Sequence, residues 1–267
     1  MVIKMIDLHS HILTGVDDGA ASAEESLAVL KAMEAKGVKK VAATSHYPLY
    51  EIDNYKGFIL DKLQQLRQEA EAAGLEIEIL SGSEILIDRK TAELFYRDQL
   101  LTLNETNYIL LETYPNTYPD YFSDLIHDLK AMGYQIIIAH PEKYPYIQAD
   151  FSLLYQWVEE YGLNLMLNSS SLVGKHGSKT KETAEKILRL GLPQLMASDT
   201  HGIKRRTFSL DQGLKRAESL KPGSRDIFLK NAEAVTKNHK LEKFEIKREE
   251  KSILKKFFSF FSSSKDI

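Results

Sequence analysis

Cysteine is absent from the 267 residues, which removes disulfides, thiolate metal ligands and a cysteine nucleophile together. Long apolar runs are missing as well: no stretch approaches the ~18 residues that a membrane-spanning helix needs. There is no excess of positive charge either. The formal net charge is -3, whereas a nucleic-acid partner calls for a strongly basic face. Hydrophobic residues at 43% and charged residues at 27% leave an ordinary globular chain, long enough for one large α/β domain. The first residues run straight into an apolar, strand-like segment and the first chemistry-bearing side chains. No leader is therefore expected, and the cytoplasm is the expected compartment.

What is present is a repeated alternation. Apolar runs near 2–8, 38–44, 76–81, 107–112, 134–139, 163–168 and 193–198 alternate with longer amphipathic segments. One such segment, Ser22 to Lys36, opens with Ser22 and Glu25 in capping-box spacing and turns Leu27, Leu30 and Met33 to one face. Another, Asp53 to Ala73, turns Leu60, Leu63, Leu66 and Ala70 inward. Segments near 119–132, 150–161 and 178–190 complete the set. The five segments stop at Gly37, Gly74, Gly133, Gly162 and Gly191, each followed by a new apolar run, as a helix cap leading into a strand should be. Seven βα units with near-continuous apolar strands predict a parallel sheet covered on both faces. The expected architecture is a seven-stranded (β/α) barrel over 1–239; an open doubly wound sheet is the alternative.

Residues 240–267 form a compositional tail. They hold eight Lys/Arg against five Asp/Glu, and five of the eleven phenylalanines, four of them in Phe257-Phe258-Ser259-Phe260-Phe261. Two readings stand side by side: a last helix packed on the barrel, or a basic-aromatic segment over 251–261 docking on an anionic membrane surface or a partner.

The chemistry gathers at the strand ends. His9, His11, Asp18, His46, Glu84, Glu112, His140, Asp199 and His201 mostly follow apolar runs, and in a ring of parallel strands those ends converge on one face. His9 and His11 sit two apart on a strand, so both point the same way with α-carbons ~6.5 Å apart. Four carboxylates at one mouth would repel one another. Two divalent cations would neutralise them, and three would leave a positive charge to receive a phosphate dianion. Mixed imidazole and carboxylate ligands suit manganese, iron or zinc. Asp7 shares the facing of His9 and is either a partner for its imidazole or a buried strand-end acid. Asp17 reads as part of a turn. His127 is expected in solvent on a helix, His239 in a polar stretch, His176 in a surface loop, and Trp157 packed inward. Positive charge near the mouth comes from Lys143 and the run ending in Arg206; an arginine matches phosphate oxygens with two parallel hydrogen bonds.

The stretch Met5-Ile6-Asp7-Leu8-His9-Ser10-His11-Ile12-Leu13 leading to Val16-Asp17-Asp18-Gly19 carries a resemblance. So do Ala43-Thr44-Ser45-His46, Gly82-Ser83-Glu84, Tyr108-Ile109-Leu110-Leu111-Glu112, Ala139-His140-Pro141-Glu142, Ala197-Ser198-Asp199-Thr200-His201 and Arg206-Thr207-Phe208. Over about residues 5–240 the chain resembles the polymerase-and-histidinol-phosphatase (PHP) domain protein-tyrosine phosphatases of bacterial capsule and exopolysaccharide loci. The resemblance implies a distorted seven-stranded (β/α) barrel and a trinuclear site, commonly supplied with manganese. Its substrate would be phosphotyrosine in the tail of a membrane-associated bacterial tyrosine kinase regulating polysaccharide export. It assigns His9, His11, Glu84 and Asp199 to one metal. Glu84 bridges to a second, shared with Glu112 and His140, and Asp18, His46 and His201 hold a third. Arg206 falls on a phosphate-binding arginine. Lys143 stands where the family usually has arginine, and Tyr47 where it usually has a second histidine.

The expected reaction is phosphomonoester hydrolysis by a metal-activated hydroxide attacking phosphorus in line. Arg206 and Lys143 hold the phosphoryl oxygens, and Asp199 and His201 complete the catalytic set. Tyrosinate, with a solution pKa of ~10, leaves readily enough that His201 or a water suffices as the acid. Alternative readings are a histidinol-phosphatase-type enzyme acting on a small ester, a nuclease, which the charge disfavours, and a non-catalytic scaffold that docks a kinase through the tail.

Overall fold

The seven apolar runs become nine short parallel strands in the computed structural model, which describes residues 4–47 and 54–248. The strands are β1 (Met5–Ser10), β2 (Val38–Ala43), β3 (His46–Tyr47), β4 (Glu78–Ser81), β5 (Glu84–Leu86), β6 (Tyr108–Glu112), β7 (Gln135–Ala139), β8 (Asn164–Asn168) and β9 (Leu195–Ala197). They pair as a three-stranded sheet, β1-β2-β4, and a six-stranded sheet, β3-β5-β6-β7-β8-β9. The count exceeds seven because two runs break where they cross from one sheet to the other, at Thr44-Ser45 and at Gly82-Ser83. A Cβ on Gly82 would lie 2.9 Å from both Leu103 Cδ2 and Thr44 Cγ2, so the second break needs glycine. The expected closed ring is not drawn by hydrogen bonds among the described residues. Between β1 and β9 the seam is a single bridge, Ser10 to Thr200.

Alternation along each strand sorts its side chains between two cores. Ile109, Leu111, Ile136, Ile138, Leu165 and Leu167 face outward onto helices. Ile6, Leu8, Ala42, Leu80, Leu110, Ile137, Met166 and Leu195 meet in a common interior that draws on both sheets. Side chains on opposite faces of a strand alternate with period two, so this division follows from the apolar runs themselves. Ala232 and Val235, from the helix Ser224–Thr236, join the interior cluster together with Leu241.

The helix Ala23–Ala35 is capped as expected, with the Ser22 side chain accepting from the Glu25 N–H, and it buries Leu30 and Met33. The helix Tyr55–Ala72 starts later than the sequence suggests, with Asn54 as its cap, and buries Leu63, Leu66 and Ala70. Leu60 is exposed rather than inward. Trp157 is fully buried and His127 points into solvent, both as expected. The helices Leu210–Leu220 and Ser224–Thr236 were not anticipated. Residues 240–248 lie against the body: Phe244 and Ile246 pack on the outer core, and the Lys247 N–H bonds the Leu190 carbonyl at 2.8 Å. The segment 251–261, with its expected membrane contact, lies outside the described residues.

Candidate metal centre

Backbone pairing at the strand ends fixes where the polar side chains point. The end of β1 is gripped from both sides: the Thr44 N–H bonds the Ser10 carbonyl at 2.8 Å, and the Asp199 N–H bonds the His9 carbonyl at 2.9 Å. His11 continues the contact through its N–H to the Thr200 carbonyl, 2.8 Å. In the parallel register of β3 and β5, His46 lies beside Glu84, and the Glu84 N–H reaches the Ser45 carbonyl at 3.2 Å. The His140 N–H, just past β7, bonds the Met166 carbonyl on β8 at 2.8 Å. Six loops and strand ends thus deliver all nine candidate ligands to one place.

Glu84 is the hub. It is fully buried; its Oε1 lies 3.2 Å from His9 Nε2 and 2.8 Å from His140 Nε2, and its Oε2 lies 3.4 Å from His11 Nε2 and 3.0 Å from His46 Nδ1. Asp199 Oδ1 is 3.5 Å from Nε2 of both His9 and His11. Asp18 Oδ1 faces His201 Nε2 at 3.1 Å and His46 Nε2 at 3.7 Å. Glu112 lies 3.8 Å from both His46 and His140. Four overlapping groups have ligand atoms close enough to share an ion: His11/Asp18/His46/His201, His9/His140/Asp199, His9/His11/Glu84 and His46/Glu84/Glu112. His140 therefore clusters with His9 and Asp199 as well as contacting Glu84, a finer sharing than the sequence assignment drew.

The donor set suits cations. Nε2 of His9, His11 and His201 and Oε2 of Glu84 are buried without a hydrogen bond, although unsatisfied buried polar atoms are rare and costly. Burial works against charge on Glu84, yet the surrounding histidines hold its carboxyl well below the usual range. Burial and the charge of Glu84 push the Glu112 carboxyl up to about 8. Burial and Lys143 bring His140 down to about 4. Two neighbouring carboxylates driven in opposite directions are what a shared divalent ion would relieve.

Side chains around the candidate ligands set their orientation. His9 Nδ1 meets Thr44 Oγ1 at 2.7 Å, and His11 Nδ1 meets Asp17 Oδ2 at 2.7 Å. Asp17 also accepts the N–H groups of Gly19 and His46. Burial opposes its charge, but His11 and those N–H groups keep its carboxyl below the usual range. In sequence Asp17 reads only as part of a turn; its spacing of six from His11 is the available signal. Asp7 does not reach the His9 imidazole. Its Oδ1 accepts the Ser198 N–H at 2.9 Å, making it the buried strand-end acid, and burial raises its pKa to about 6. Asn168 ends β8 where other strands end in candidate ligands, and its Nδ2 donates to Asp199 Oδ2 at 2.8 Å. Two cations complete the site: Lys143 Nζ lies 2.5 Å from Asp199 Oδ2, and Arg206 reaches Asp18 at 3.1 Å and Asp199 at 3.2 Å. Tyr47 packs edge-on against Tyr55, with ring centroids 4.7 Å apart.

The model of the family described as capsular polysaccharide synthesis, CpsB/CapC, matches residues 5–237. CapC of Staphylococcus aureus is 32% identical over 241 residues, covering 90% of this chain and 94% of that protein. The tyrosine-protein phosphatase YwqE of Bacillus subtilis is 33% identical over 210 residues, covering 79% and 82%. Among solved structures, one from the pair YwqE of Bacillus subtilis and CpsB of Streptococcus pneumoniae, described as unique metal-dependent tyrosine phosphatases, superposes with a TM-score of 0.88 at 30% identity, over 92% of this chain and 100% of that one. An amidohydrolase from Mycoplasma synoviae shares the fold at 16% identity and a TM-score of 0.60, covering 97% and 95%.

Proposed function

Since the chain belongs to the CpsB/CapC family of capsular polysaccharide synthesis, we propose that it is a metal-dependent phosphatase of protein phosphotyrosine. The observation that carries this reading is the convergence of unpartnered His9, His11 and His201 nitrogens on Glu84, Asp18 and Asp199, beside Lys143 and Arg206. His9, His11, Glu84 and Asp199 would hold one ion. Glu84 would bridge to a second, shared with Glu112 and His140, and Asp18, His46 and His201 would hold a third. Manganese is the proposed metal, with iron or zinc compatible with the same donors. Bound divalent ions supply Lewis acidity and a nucleophile at neutral pH, which is how a chain without cysteine attacks phosphorus.

The remaining work falls to the chain's own groups. Asp17 and Thr44 fix the two imidazoles of the His-x-His pair, so these ligands are set before substrate arrives. Arg206 and Lys143, both lying on Asp199, meet the phosphoryl oxygens and stabilise their charge during transfer. Tyrosinate departs without a strong acid. The substrate is proposed to be a bacterial tyrosine kinase that regulates polysaccharide export, and the compartment the cytoplasm. Among the described residues no helix is long and apolar enough to cross a membrane. We also read the two sheets as one interrupted ring of seven strands, a reading supported by their shared interior and by the Ser10–Thr200 bridge.

Metal content and turnover of a phosphotyrosine peptide, measured before and after chelation and again after manganese is restored, test the proposal. Turnover should vanish and return. Unchanged turnover in the chelated protein would end the metal reading, and faster hydrolysis of histidinol phosphate than of the peptide would end the substrate reading.

A further inference from the structure

Beside the metal centre opens a pocket of ≈ 600 Å³ lined by Lys143, Ser170, Lys175, His176, Lys204, Arg205, Arg206 and Thr207. Five of these eight residues are Lys or Arg and none is acidic, in a chain whose net charge is negative. The five cations divide into two groups. Lys143 and Arg206 are engaged with Asp199 at the centre. Lys175, Lys204 and Arg205 make no ion pair among the described residues, and no carboxylate lines the pocket with them.

Two of the outer cations, Lys175 and Arg205, are tied to the loops that build the centre. Lys175 Nζ donates to Thr207 Oγ1 at 2.9 Å and to the Thr207 carbonyl at 3.2 Å, next in sequence to Arg206. Arg205 donates to the carbonyl of the ligand Asp18 at 3.3 Å. His176, expected only as a surface residue, hydrogen-bonds Ser170 Oγ at 2.7 Å, and Ser170 donates to Asn168. Lys175 and Arg205 are therefore held in place, while one of the three Lys175 N–H donors and the Lys204 ammonium group stay available to an incoming anion.

We propose that this pocket is a second anion subsite, which binds a negatively charged group flanking the phosphotyrosine on the same peptide. The inference rests on the phosphatase reading and deepens it, since the inner cations take the phosphoryl group and the outer ones read the sequence around it. Carboxylate and phosphoryl groups share the required chemistry, a compact anion that lysine meets as a point charge.

The test uses the manganese-loaded full chain and fluorescently labelled peptides that carry a non-hydrolysable phosphonate in place of the phosphotyrosine. The flanking residues are Glu, phosphoserine or Gln, and binding is read by anisotropy at low and high salt. The Glu or phosphoserine peptide should bind about tenfold more tightly than the Gln peptide at low salt, and the margin should shrink as salt rises. A K204S variant should lose most of that margin while hydrolysing p-nitrophenyl phosphate like wild type. If Glu exceeds Gln, carboxylates are a source; if only phosphoserine does, the subsite is phosphate-selective. Equal binding of all three peptides to wild type, or an unchanged margin in the variant, would overturn the subsite with the phosphatase reading intact. Hydrolysis of neither p-nitrophenyl phosphate nor phosphotyrosine peptides would overturn the phosphatase reading, and with it the assignment of this pocket to its substrate.

Discussion

Asn168→Ala tests whether the centre depends on groups that never touch an ion. The Asn168 side chain is buried and makes three hydrogen bonds: it accepts from the Ser170 N–H at 2.8 Å and the Ser170 hydroxyl at 2.6 Å, and it donates to Asp199 Oδ2 at 2.8 Å. The first of these caps the short helix Ser169–Leu172, a role worth ~1 kcal/mol. The last is a bond to a charged acceptor, worth roughly 1.5–3 kcal/mol. Lys143 and Arg206 remain on Asp199 in the variant, so the lower end of that range applies. The total loss is then about 2.5 kcal/mol, or ~5–10 °C in Tm for a chain of this size. Metal affinity should fall 10–100-fold, roughly the effect of losing a group that orients a ligand. Urea unfolding gives the first quantity and competition with a chelating dye the second. If stability fell by only ~1 kcal/mol and metal affinity stayed at the wild-type value, Asn168 would be a helix cap alone, and its place in the centre would be refuted.

Glu142 is fully buried, accepts the Asn168 N–H at 3.0 Å, and has its pKa raised by burial to about 7. A folded pKa above the unfolded one means that the unfolded chain releases its proton first, so stability falls as pH rises from ~4.5 to 7. Glu142→Gln keeps an acceptor and cannot ionise. In chelated protein it should therefore gain on wild type by ~3 kcal/mol across that window, and parallel denaturation curves at pH 5 and pH 8 would count against the account. Manganese at a hundred times its Kd should raise Tm by ~5–10 °C over chelated protein, and a flat thermal-shift titration would contradict a preformed site. Arg206 has φ 47, a region costly for any side chain. Arg206→Gly should accordingly be more stable than Arg206→Ala by ~1 kcal/mol, while both lose ~10²-fold in kcat/KM. Equal unfolding midpoints would show that the backbone there carries no strain.

What could be read from the residues in order was the gathering of the candidate ligands, because parallel strands bring their ends together whatever their distance in sequence. His11 and His201, 190 positions apart, stack with ring centroids 3.8 Å apart. The helices near 22–36 and 178–190 were also legible, because Ser22, Gly37 and Gly191 mark their ends. Strand breaks were not. Thr44-Ser45 and Gly82-Ser83 interrupt pairing through close packing against each other and Leu103, and no periodicity records such packing. Orienting groups were missed for a different reason. Asp17 and Asn168 are common turn and strand-end residues, and only the three-dimensional neighbour separates an idle one from one that holds a ligand. Leu60 failed because helical spacing defines a face but not how far a neighbouring element extends over it.

The centre also rests on backbone that sequence patterns do not display. His140 at φ 34, Asp199 at φ 51 and Arg206 at φ 47 all occupy the left-handed region, where a non-glycine residue costs on the order of 1–3 kcal/mol. Each is held there by a specific bond: His140 N–H to Met166, Asp199 N–H to His9, and His201 N–H to the Arg206 carbonyl at 3.0 Å. The Thr200 hydroxyl adds a second bond to that same Arg206 carbonyl at 2.9 Å. Glycine would relieve all three positions and would forfeit an imidazole, a carboxylate and a guanidinium. The fold therefore carries this strain where the side chain, not the chain path, is the product. Two of these three residues are ligand candidates and the third is the proposed phosphate clamp; Asn54, Asp98, Asn104, Glu105 and Asn238 share a positive φ without being candidate ligands, so a left-handed backbone marks a site only where the side chain it delivers carries chemistry.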